Sequence, residues 1–184
     1  MPVLGAPKKE YFTEDELDLI RDAQELSARV PTYFKLAERR LIFLGIMEKS
    51  AQQIEKERKE REKREKEQKK SSDTRATANK APVDDMSYLD TFEPADLLRG
   101  YIQALDEVTT NIDDAYSRKL DVRDSLEDLA KFVRDTVPLL EKFKAKGDRE
   151  RAALQDAIDK AKQTAADTKE ALGIVPKTEK KRKP

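Results

Sequence analysis

Fourteen positions from Leu98 to Phe143 recur in steps of three and four, and only Lys119 and Thr136 among them are polar. The series is Leu98, Tyr101, Leu105, Val108, Ile112, Ala115, Lys119, Val122, Leu126, Leu129, Val133, Thr136, Leu140 and Phe143. Such alternation is the period of a helix and places every member on one face. A face of this length has to be covered by other apolar surface, so the seam limits the chain to architectures in which helices pack on helices.

A second stripe offers part of that cover. Ile20, Ala23, Ser27, Val30, Phe34, Ala37, Leu41 and Leu44 follow the same alternation, widened by Leu19, Leu26, Tyr33, Leu36, Phe43, Met47 and Ile54. Residues 41–47 are apolar on every side of a helix, which predicts the centre of the core there. Thr13 can cap this first helix and Glu16 completes a capping box, with Phe12 and Leu17 at the staple positions. Pro31 removes a backbone donor from the stripe without shifting its register, which predicts a kink, with a break into two helices as the alternative.

The boundaries then read as follows. Residues 1–11 form a disordered leader, and 12–54 a kinked amphipathic helix. Residues 55–70 alternate acidic and basic side chains with nothing apolar to bury, which predicts a charged single-helix spur held by i,i+4 pairs such as Glu55 with Lys59. Residues 71–91 are a linker. Residues 92–146 form one long amphipathic helix with Pro94 at its first position, about 80 Å if unbroken. Gly147 and Asp148 read as a stop and a restart. Residues 148–173 form a short Ala-rich helix with a small seam at Leu154, Ala157, Ala161, Thr164 and Thr168, expected to be the least stable. Residues 174–184 form a basic tail. The fold class is therefore all-α: an elongated antiparallel helical bundle or coiled-coil-like assembly, with a protruding charged helix and disordered tails.

The chain contains no Cys, His or Trp. Thiolate and imidazole nucleophiles, zinc sites built on them and Glu-x-x-His diiron sites are thereby excluded. The carboxylates lie off the seams, where water keeps them ordinary, so no catalytic residue, cofactor or metal ligand is assigned. The longest apolar run, residues 41–47, is far short of a membrane span. Residues 1–9 lack the apolar core of a signal peptide, which favours a soluble, cytoplasmic protein.

Equal numbers of basic and acidic residues, 38 each, hide an uneven distribution. Residues 84–143 carry 15 acidic and 7 basic side chains, whereas 177–184 carry 5 basic and 1 acidic. Two functional readings follow. The first is a non-catalytic interaction, scaffold or spacer protein acting through its apolar seams, with Leu41, Leu44, Leu105, Ile112, Leu126, Leu129, Val133 and Leu140 as the packing residues. Because residues 17–54 alone cannot cover fourteen positions, this reading expects another helical protein or a second copy as partner. The second is binding of nucleic acid or anionic lipid through Lys180, Lys181, Arg182 and Lys183.

Overall fold

The computed structural model describes residues 10–49 and 86–176, with single helical positions at 54, 55, 58, 59 and 62. Every regular element among them is helical. The chain divides into two units, one formed by Met1–Met47 with Phe92–Pro184 and the other by Glu48–Thr91.

Among the described residues the larger unit contains five α-helices: α1 (Glu14–Asp22), α2 (Leu26–Phe43), α3 (Pro94–Ser117), α4 (Arg123–Lys142) and α5 (Asp148–Ile174). The capping box forms at the start of α1. Glu16 N–H donates to Thr13 Oγ1 (3.3 Å), and Thr13 N–H donates to Glu16 Oε2 (3.0 Å). Phe12 is buried, and Leu17 packs on the core. Residues 10 and 11, expected in a disordered leader, are tied down: Tyr11 N–H donates to Gln103 Oε1, and Gln103 Nε2 donates to Glu10 Oε1.

Where a single helix over 12–54 was expected, the described residues 12–49 form two helices, and neither break falls at a proline. The first gap is 23–25, where the Arg29 side chain reaches back and donates from Nε to the Ala23 carbonyl at 2.8 Å. That bond satisfies an orphan acceptor at the end of α1. Pro31 lies inside α2 without ending it. The second stop follows Phe43. Gly45 takes a left-handed φ of 71°, its N–H donates to Ile42 O, and Ile46 N–H donates to Leu41 O. This is a Schellman closure, in which an αL residue turns the chain back over the last carbonyls. The all-round apolar stretch is thus a helix end folded on itself, with Ile46 buried beside Leu41 in the core.

The expected long helix over 92–146 also divides. It stops at Ser117 with Lys119 at φ 61°, Lys119 N–H on Tyr116 O and Leu120 N–H on Ala115 O. Lys119 was expected on the seam of a continuous helix; it is instead the left-handed residue of a turn. Five linking residues bring the seam back on the same side, so Val122, Leu126 and Leu129 stay buried although the helix has been broken. Pro138 sits inside α4, which runs to Lys142 rather than 146. Gly147 is the N-cap of α5 rather than the C-cap of its predecessor.

The packing corrects the pairing expected from sequence. α2 lies on α3 as anticipated, but consecutive helices α3 and α4 scarcely touch. Both pack instead on α5. Its Ala153, Ala157 and Ala161 are fully buried, and small side chains of this kind let three helices approach closely. The wall that the long seam lacked is therefore supplied by the chain's own last helix, and the argument for a partner at the seam falls away. Phe34 of α2 stacks on Phe132 of α4 with centroids 4.5 Å apart. The polar seam position Thr136 is also explained: its Oγ1 lies 2.9 Å from the Tyr101 hydroxyl, joining α3 to α4 inside the core.

In the smaller unit, Ser87–Thr91 forms a 3₁₀ turn where a linker was expected. Of the charged spur 55–70, only Glu55, Arg58, Lys59 and Glu62 are described; Glu55 and Lys59 pair at 3.2 Å. The rest of the spur, most of the linker, and residues 1–9 and 177–184 lie outside the described residues.

Candidate functional site

The seam residues are core residues. Leu41, Leu105, Ile112, Leu126, Leu129, Val133 and Leu140 are buried, and Leu44 is half-buried against the same cluster. Lys180, Lys181, Arg182 and Lys183 lie outside the described residues. The sites that the sequence did not single out are three: two polar clusters and one apolar surface.

The first cluster is the most buried charge among the described residues. Arg40 and Glu16 are 0% and 2% exposed. Arg40 Nη1 donates to Glu16 Oε1 (2.8 Å) and to the Leu36 carbonyl (2.9 Å); Nη2 donates to Glu16 Oε2 (2.7 Å) and to the Tyr11 carbonyl (2.7 Å). The guanidinium also lies 4.9 Å from the Phe12 ring centroid. Space for it comes from Gly100 on α3, where an added Cβ would collide with Arg40 Nε and stand 2.9 Å from Cδ. Arg40 Nε itself has no hydrogen-bond partner among the described residues. A bidentate fork closed on a carboxylate and two carbonyls has little left to offer a substrate. Its work is to fasten residues 10–22 to the rest of the unit. A sequence signal existed: glycine inside a helix costs about 1 kcal/mol against alanine, so Gly100 needed a reason.

The second cluster joins α2 and α3. Arg29 Nη1 donates to Asn111 Oδ1 (3.2 Å). Burial pushes the Tyr33 phenol up to about 12, helped by the Glu107 charge and opposed by Arg29 and Asn111. Burial also pushes Tyr101 up to about 12, against the hydrogen bond it shares with Thr136. Both phenols are therefore neutral at ordinary pH and serve as hydrogen-bonding core residues, poorly suited to act as bases. Burial raises the Glu38 carboxyl as well, opposed by Lys35. Among the described residues no group of three or more acidic, Cys or His side chains could hold a metal ion, and no helix is long and apolar enough to cross a membrane.

The third site is the surface where the α3–α4 turn meets the C-terminal end of α5. Tyr116, Leu120 and Ile174 are 52%, 55% and 67% exposed, and among the described residues of this unit they are the exposed large apolar side chains. Tyr116 and Leu120 line an open cleft together with Ser117, Lys119, Asp121, Val122, Val175 and Pro176, and Ile174 precedes Val175 in the chain. Arg123 builds it. Its Nη1 donates to the carbonyls of Leu172 (3.0 Å) and Val175 (2.8 Å), while its Nε donates to Glu127 (2.8 Å). A cation in the first turn of α4 opposes that helix's own dipole. It is accounted for by the carbonyl end of α5, where a cation is favourable. Asp121 accepts the Arg123 N–H (3.0 Å), and Asp114 pairs with Arg118 at 2.7 Å. Lys119 at positive φ costs about 1–2 kcal/mol for a side chain with a Cβ. Exposed apolar area, a strained turn and a concave surface thus coincide at one place. Leu120 and Tyr116 lie off the seam, which was the available sequence signal. Comparison of the chain with protein-family models, curated proteins and solved structures finds no match.

Proposed function

We propose that the protein is a non-catalytic interaction module, an antiparallel helical bundle that receives a helix of another protein at the tip formed by Tyr116, Leu120 and Ile174. The observation carrying this reading is the exposure of Tyr116 and Leu120 on an open cleft, with Ile174 exposed next to its lining residue Val175, in a unit whose other large apolar side chains are covered among the described residues. The seam residues named from sequence keep a scaffolding role: they hold the bundle together, and the partner surface moves to its end. A groove lined by Leu, Val and Tyr side chains suits the apolar face of an amphipathic helix, with Tyr116 as an aromatic anchor. A second copy fits less well. Three side chains offer far less than the roughly 800 Å² per partner of a standard interface.

Titration with a 14-residue amphipathic helical peptide, leucines on one face and glutamines elsewhere, tests the reading by amide chemical shifts. Shifts confined to 116–122 and 172–176 support it, provided that Leu120→Asp abolishes them with folding stability within about 0.5 kcal/mol. Shifts spread along α2 and α3, or none at millimolar peptide, reject it.

A further inference from the structure

We infer that the slot holding Arg40, between α2 and α3, is a receptor for the start of a helix of the pattern aromatic–Thr–x–x–Glu. Residues 11–22 are its built-in occupant, and another protein presenting that pattern displaces them. The slot lies at the opposite end of α3 from the tip, so this inference is independent of the function proposed above.

The occupant shows what the slot reads. Phe12 is buried, its ring 6.0 Å from that of Tyr33 and 4.9 Å from the Arg40 guanidinium. Four residues on, the two Glu16 carboxylate oxygens take the fork of Arg40 Nη1 and Nη2, and the same carboxylate closes the capping box on Thr13. The capped helix start thus presents ring and carboxylate together, and Gly100 leaves room behind them for the guanidinium. Main-chain atoms complete the set: Tyr11 N–H donates to Gln103 Oε1, and Tyr11 O accepts from Arg40 Nη2. Those two bonds suit any residue other than proline at that position.

Residues 11–22 are held differently from the rest of the unit. Glu16 is the one buried side chain of α1, whereas each of the other four helices buries at least seven. Leu17 and Ile20 are partly buried, and Glu14, Asp15, Asp18, Arg21 and Asp22 are exposed. Apolar burial resists opening because apolar area must return to water. A buried ion pair resists less, because opening rehydrates both charges. α1 therefore opens at a lower free energy than the whole unit unfolds. A separate chain suits the vacated slot better than α1 of a second copy. Residues 23–25 span at most about 11 Å, and Arg29 Nε holds the Ala23 carbonyl, so an exchange would press two bundles together.

The test uses the full chain, unmodified and with Phe12→Ala and Glu16→Gln combined, and a fluorescent peptide of residues 10–24. The variant, whose own segment docks poorly, is expected to bind the peptide about fiftyfold more tightly than the unmodified chain does. A millimolar effective concentration of the tethered segment, set against tens of micromolar for the free peptide, gives about that factor. Amide shifts should centre on Gly100 and Gln103, and Glu16→Gln in the peptide should weaken binding at least roughly tenfold. Equal binding by the two chains, or by the two peptides, overturns the inference. Shifts at Tyr116 and Leu120 instead assign the peptide to the tip, overturning this inference and leaving the proposed function standing. Hydrogen exchange on the unmodified chain decides independently of whether the variant folds. Amides of 17–22 should be at least about a hundredfold less protected than those of 101–112. Equal protection means that α1 leaves only on global unfolding, and overturns the inference. So does sedimentation showing the unmodified chain to be a dimer with α1 exchanged.

Discussion

The two ends of α3 treat charge and grease in opposite ways. Near its start, Gly100 opens a slot in which a whole guanidinium is sealed from water, and Tyr101 beside it is fully buried. At its finish, Tyr116 and then Leu120 project into solvent. The first end spends desolvation on a polar group and recovers it through four charge-assisted hydrogen bonds. The second leaves apolar area unburied, which contributes nothing to folding. Energy is thus invested in fastening residues 10–22 at one end and withheld at the other. A surface that folding does not need is the one available for binding.

The strongest way to break this contrast is to remove the cation at the buried end. Arg40→Met should cost about 3–5 kcal/mol in chemical denaturation, because Glu16 would stay buried without its partner. Arg40→Met combined with Glu16→Gln should be less destabilised than the sum of the two single changes. Alkaline titration comes next. Tyr33 and Tyr101 ionise near 12 when folded and near 10 when unfolded, so above pH 10 the unfolded chain binds fewer protons than the folded one. The contribution of these phenols to stability is then constant below about pH 10 and falls between 10 and 12 by roughly 2 kcal/mol per phenol. Tyr101→Phe should reduce that loss, as read from denaturation midpoints at pH 9 and pH 11.5.

Gly100→Ala sharpens the comparison because its sign is inverted. Alanine normally stabilises a helix interior by about 1 kcal/mol, yet here its Cβ meets Arg40 and should cost about 1–3 kcal/mol. With Arg40→Met in the background the same change should become neutral or favourable. The smallest effect belongs to the tip. Lys119→Gly relieves the positive φ and should raise stability by about 1 kcal/mol in a denaturant midpoint, without altering the buried end. A loss instead would show that the turn is not strained.

Much of this was readable from the chain. The seam period placed Leu105, Ile112, Leu126 and Leu140 in the core because burial needs only a face, and a face is what periodicity records. The same property hid the breaks. Residues 23–25 and 118–122 contain neither Gly nor Pro, and the register of apolar side chains survives both turns. At Lys119 the chain accepts a conformation usually left to glycine, which no propensity rule anticipates. The place of α5 was missed because its buried residues are, apart from Leu154 and Ile158, alanines and threonines, whose small area looks like weak packing until two other helices are found against it. Arg40 was missed because counting apolar positions says nothing of a cation that finds four acceptors, and Gly100 became interpretable only beside it. At the tip, Tyr116 and Leu120 were visible as apolar residues off the seam. Their company with Ile174, Val175 and Pro176 is set by a tether from Arg123, which no local pattern reveals.

The place of α5 in the chain has a consequence for how the protein is made. α3 and α4 lean on a helix that the ribosome has yet to deliver when they emerge, so Leu126, Leu129 and Val133 wait uncovered while residues 144–174 are added. At 5–20 residues per second that wait is about 2–6 s. During biogenesis, then, the nascent polypeptide passes through an interval in which its greasiest surface is open to chaperones and to neighbouring chains.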